Sequence, residues 1–162
     1  MSFEAKPIDF AHKQRGYTEL AQALTGLLTG ERNRVANAAN TAALLFDSLP
    51  AVNWAGFYFA QGRELIVGPF QGRPACVRIP FGRGVCGRAA ADRQTVLVPD
   101  VHAFPGHIAC DALSRSEIVV PLIRDGRLIG VLDVDSPELA RFDQADRLGL
   151  ERVAEIFLAA SD

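Results

Sequence analysis

The chain has 162 residues, 49% of them hydrophobic and 22% charged, a balance that suits one globular domain with a full-sized core. Its 17 Lys and Arg against 19 Asp and Glu leave a net charge of -2, so the overall field offers nothing to draw in nucleic acid or an anionic membrane surface. No apolar run approaches the roughly 20 residues of a membrane span, and the start MSFEAKPIDF shows no basic segment followed by an apolar one, so we expect a soluble, cytoplasmic protein. Three cysteines, an odd number, argue against a purely structural disulfide framework.

Taken in chain order, Tyr17, Leu20, Ala21, Leu24, Leu27 and Leu28 recur at helical spacing, with Gly30 as a C-terminal stop. A second helix is expected from about Asn33 to Ser48, with Val35, Ala39, Ala42, Leu45, Phe46 and Leu49 on its apolar stripe and Pro50 closing it. Strand signals follow at 51–59, 64–70, 76–80, 95–98, 117–123 and 128–135. Asp125-Gly126 marks a tight hairpin between the last two, because both residues tolerate positive φ, and Gln61-Gly62 reads likewise. A last helix is expected where Asp143 can cap, Asp146 sits at the reciprocal capping position, and Leu150, Val153, Ala154, Phe157 and Leu158 follow. Helices at both ends of a run of strands define an α+β domain, an antiparallel sheet covered by helices, spanning 1–162 as one unit.

The segment 71–115 holds all three cysteines and much of the chain's Gly and Pro, which marks it as the place for a site. Gly82, Gly84 and Gly87 match a dinucleotide-binding pattern letter for letter, but Pro80 ends the preceding run and too few residues follow for a crossover helix. We read them as turn glycines. Cys76, Cys86, His107 and Cys110 are spaced by 10, 21 and 3 positions, unlike the paired ligands of a structural zinc site, so no metal is expected. Cys110 lies among Gly, His, Asp and Ser, as a reactive loop thiol would, and His107 could help to hold it as thiolate. Asp133 and Asp135 are two apart, so on a strand both point to one face; they are either a buried acidic pair suited to a small cation-bearing ligand, or solvated turn residues before Ser136-Pro137.

NWAGFYF, FGRGVCGRAA, VPDVHAFPGHIACDALSRSEIVVPL and GVLDVDS, in this order, resemble a small GAF domain, and the cysteine placement resembles that of the free methionine-(R)-sulfoxide reductases. The likeness covers nearly the whole chain. It implies a six-stranded antiparallel sheet flanked by N- and C-terminal helices, with Cys110 as nucleophile, Cys76 as the principal resolving thiol and Cys86 as a further pocket cysteine. It places Trp54, Glu117, Asp133 and Asp135 in the substrate pocket, and it implies free methionine-R-sulfoxide as substrate, thioredoxin as reductant, no cofactor and a homodimer. Two other readings stand beside it: a non-catalytic GAF module that senses a small ligand, and a thiol redox switch without a substrate. Fold alone does not separate them.

One geometric conflict arises from the hairpin. If Asp125-Gly126 closes a regular ladder, paired residue numbers sum to 251, Asp133 faces Ile118, and Glu117 points away from both aspartates. A shared pocket therefore requires a β-bulge, or a strand that begins after Glu117.

Overall fold

A computed structural model describes residues 3–4 and 6–162. The first helix, α1 (Lys13–Leu28), turns Tyr17, Leu20, Leu24 and Leu28 inward at three- and four-residue steps, and Gly30 follows at φ 83°. Helix α2 (Arg34–Ser48) is capped by Asn33, whose side chain accepts from Ala36 N. Its buried stripe differs from the expected one. Asn37, Ala38, Thr41, Ala42, Leu44 and Leu45 face the core, while Val35, Ala39 and Phe46 are exposed. The polar Asn37 tolerates burial because its Nδ2 donates to Glu31 O, Ala160 O and Ser161 Oγ. Counting only apolar residues rotated the stripe.

Six antiparallel strands follow: β1 (Trp54–Gln61), β2 (Glu64–Gly72), β3 (Arg78–Pro80), β4 (Val96–Val98), β5 (Ser116–Arg124) and β6 (Arg127–Ser136), arranged β3-β2-β1-β6-β5-β4. All six expected strands are present, although β1 starts three residues later than anticipated and Cys76 lies before β3 rather than in it. An unexpected helix, α3 (Gly84–Asp92), sits between β3 and β4. Gly84 and Gly87 are therefore helical, and of the three motif glycines only Gly82 and the first helical residue Gly84 have positive φ. Gly87 is required for closeness, since a Cβ there would stand 2.5 Å from Pro80 O. The last helix, α4 (Gln144–Ala160), begins with the expected capping box of Asp143 and Asp146.

The sheet separates two cores. Ala55, Phe57, Ile118, Val120, Leu122, Leu132 and Val134 point to the face covered by α1, α2 and α4. Each fully buried Leu, Ile or Phe there contributes about 1.5–3 kcal/mol. Trp54, Tyr58, Val119 and Val131 point the other way, toward α3 and the loops. Among the described residues no helix is long and apolar enough to cross a membrane.

Candidate active site

The β5–β6 hairpin carries the bulge that a shared pocket needs. Ile123 pairs with Leu128 across the turn, but Leu122 pairs with Gly130, leaving Ile129 as the extra residue. From there on the register is shifted by one, so Val119 faces Asp133 and Glu117 faces Asp135. On the other side of β6, Asp135 pairs with Trp54. Glu117, Asp135 and Trp54 therefore stand side by side on three neighbouring strands, with Asp133 one step along the same face. The solvated-turn reading of the two aspartates fails, because β6 continues to Ser136 and Asp133 is only 5% exposed.

Helix α3 and two loops close over this acidic floor. From α3 comes Cys86, a free buried thiol whose Sγ donates to Glu117 Oε1 at 3.8 Å. Cys76 and Cys110, 34 positions apart, are joined by a disulfide with Cα atoms 5.6 Å apart. Trp54 stacks on Phe70 at 5.0 Å and on Tyr58 at 5.8 Å, and its Nε1 donates to Arg73 O at 3.1 Å. The ring is thus both core and pocket wall. Trp54, Cys86, Cys110, Glu117, Asp133 and Asp135 all line one cavity. Cys76 reaches it through its bond to Cys110. Tyr58, Asp111 and Ser114 line the cavity too, and nothing in the one-dimensional spacing singled them out.

Burial is the largest influence on every acid here. It raises Glu117 well above the usual carboxylate range, helped by repulsion from Asp133 and Asp135. Burial likewise raises Asp135, with Asp133 and Asp111 adding to it. Asp133 is also raised by burial, with the neighbouring Glu117 and Cys86 restraining the rise. The set therefore holds carboxylic acids near neutrality, which can donate a proton, beside a residual negative charge, which can hold a cation. Asp133 Oδ1 is buried and lacks a hydrogen-bond partner, a position that calls for an acid proton from Glu117 or an ammonium from a ligand. Burial and the neighbouring acids also push the Cys86 thiol up, so it stays protonated.

His107 lines the same cavity, but burial and then His102 lower its pKa, so at neutral pH it is no cation for a Cys110 thiolate. The four-residue zinc set is dismantled, because two of its thiols are joined to each other. A different trio, Cys86, Glu117 and Asp133, brings ligand atoms within 4.8 Å of one another. The space open to the centre of a water molecule within the cavity is about 40 Å³.

This curled six-stranded antiparallel sheet, with its loop-covered pocket, defines a known class. The GAF domain family profile matches residues 33–160, and the chain belongs to that family. Within it, the chain is 49% identical over 154 residues to the free methionine-R-sulfoxide reductase of Escherichia coli strain K12, an alignment that covers 93% of each chain. The X-ray structure of free methionine-R-sulfoxide reductase from Neisseria meningitidis in complex with its substrate superposes with a TM-score of 0.92 at 49% identity, covering 96% of this chain and 94% of that one. A protein from Burkholderia vietnamiensis whose description is that of a GAF sensor superposes with a TM-score of 0.90 at 59% identity, covering 93% of this chain and 96% of that one.

Proposed function

We propose that this protein, acting as a single domain, reduces free L-methionine-(R)-sulfoxide to L-methionine. The observation that carries the reading is a disulfide between Cys76 and Cys110 lying over a buried cluster of three carboxyl groups. In the reduced protein the Cys110 thiolate attacks the sulfoxide sulfur while a carboxylic acid of the cluster, best supplied by Glu117, protonates the oxygen. The hydroxyl passes from the substrate sulfur to the Cys110 sulfur as the transient sulfur–sulfur bond and the substrate's sulfur–oxygen bond break, so methionine leaves and Cys110 is left as a sulfenic acid. Cys76 then attacks this sulfur, releasing water and forming the disulfide. An external dithiol, for which we propose thioredoxin in the cytoplasm, returns both cysteines to thiols and is itself oxidised. Cys86, held protonated beside Glu117, shapes the acid cluster.

Trp54 offers a flat wall for the sulfoxide's methyl group, and Asp133 with Asp135 offers a seat for its α-ammonium. A methionine sulfoxide inside a peptide has no such ammonium and would leave the carboxylate without its counter-ion, which favours the free amino acid.

Turnover with dithiothreitol, measured on separated R and S epimers, free and peptide-bound, tests the proposal. We expect consumption of the free R epimer alone, and a loss on the order of a thousandfold or more in Cys110→Ser, as for removal of a catalytic nucleophile. Wild-type rates in that variant refute the assignment. Binding without turnover would favour a sensor, the reading that the Burkholderia likeness keeps open. Oxidation without methionine formation would favour a thiol switch.

A further inference from the structure

Asn53 immediately precedes β1 and the pocket residue Trp54, and its backbone N donates to Asp135 O at 3.0 Å, fixing it to the acidic end of the sheet. Its side chain crosses to the segment that carries Cys110. There Nδ2 donates to Asp111 Oδ2 and to Ser114 Oγ, each at 3.2 Å. Both partners line the cavity. Asp111 is held for this contact by its other oxygen, which accepts from Leu113 N at 2.9 Å. Among the described residues, no other hydrogen bond ties residues 105–114 to the sheet.

The orientation of the carboxamide is imposed by charge. Turned over, it would present its oxygen to the Asp111 carboxylate, so the NH2 must face the loop. The consequence is visible on the other side, where Asn53 Oδ1 is buried without a hydrogen-bond partner. In the disulfide-linked state this tie is redundant, because the Cys76 bond already holds the segment down. Once the disulfide opens, as it must for Cys110 to react, Asn53 supplies the remaining polar link between the Cys110 segment and the acids.

We propose that Asn53 is a positioning residue that keeps the Cys110 segment docked over the acid cluster in the reduced protein, acting through Asp111 and Ser114. For turnover this rests on the reductase reading, but the docking itself is measurable without any sulfoxide. The readout is the effective molarity of the Cys76–Cys110 pair in glutathione redox buffers, which reports how closely the open segment holds the two thiols. In Asn53→Asp two carboxylates oppose each other, and effective molarity should fall about tenfold, the weight of one or two lost hydrogen bonds. The turnover parameter kcat/KM with dithiothreitol should fall in parallel. Adding Asp111→Asn to Asn53→Asp restores the contact with donor and acceptor exchanged, and the carboxamide oxygen placed at position 111 can still accept from Leu113 N. That double variant should recover most of both losses.

Wild-type effective molarity in Asn53→Asp, or a double variant no better than the single one, overturns the proposal. Should Asn53→Asp fail to fold, Asn53→Ala removes the donor without adding charge, and an unchanged effective molarity there overturns it equally. If effective molarity falls and recovers as expected while the wild-type protein turns over no sulfoxide, the docking role stands and the reductase reading fails.

Discussion

Asp133 is held where a carboxylate is least comfortable, buried beside two other acids, with an oxygen that no donor satisfies. Its pKa is raised to about 6, with burial as the main cause. The folded protein therefore binds this proton more tightly than the unfolded chain does, whose value is about 4. It follows that the contribution to stability is fully present below about pH 4, is lost as pH rises toward 6, and stays lost above it. Asp133→Asn should stabilise the protein at about pH 7.5 by on the order of 2 kcal/mol and flatten the urea-unfolding midpoint between about pH 4 and 6, while lowering sulfoxide turnover. An unchanged pH profile of stability would show that the cluster carries no such strain. At this scale the residue types were legible: two acids at strand spacing and an isolated loop thiol announce unusual chemistry. Asn53, Asp111 and Ser114 were not, because the contact spans 58 and 61 positions and each residue alone is ordinary for a loop.

At the scale of elements, the long periodic helices and the hairpins could be read, but the short helix and the orientation of α2 could not. Helix α3 has nine residues and includes Gly84 and Gly87, so neither length nor propensity marks it. What holds it is the burial of Val85, Cys86, Ala89 and Ala90 against the sheet. The capping residue Asp146 does more than its sequence position suggests. Fully buried, it accepts from Tyr17 Oη at 2.8 Å, Lys13 Nζ at 2.6 Å, Arg141 Nη1 at 3.1 Å and Asp143 N at 2.9 Å, joining α1 to the start of α4. Asp146→Ala leaves these donors without their shared acceptor and should destabilise the protein by about 3 kcal/mol in urea unfolding. Glu155→Ala, which breaks only the exposed pair with Arg152, should change stability by no more than about 0.5 kcal/mol.

For the molecule as a whole, the sheet divides labour between its faces. One is packed against α1, α2 and α4 and buries the larger apolar core. The other, less completely covered, accommodates polar groups that only a rigid support can hold in place. The Cys76–Cys110 bond draws its two segments together at the cavity wall, so entry of an amino acid is expected to be easier once that bond opens. Calorimetric titration of free methionine-R-sulfoxide should accordingly detect binding to the Cys110→Ser protein and none, or binding weaker by on the order of a hundredfold, to the oxidised wild type. Equal affinities would mean that the two loops are not drawn together as the bond implies.

The single surplus residue at Ile129 carries a heavier responsibility than any side chain in the hairpin. Without it, β5 and β6 could not both keep their acids and their aliphatics on separate sides: restoring a regular ladder would turn Glu117 into the oily interior or evict Leu132 and Val134 from it. Relatives of this chain should therefore be compared by counting residues from the Asp125-Gly126 corner rather than by matching letters, since a one-residue deletion would act as a frameshift in three dimensions.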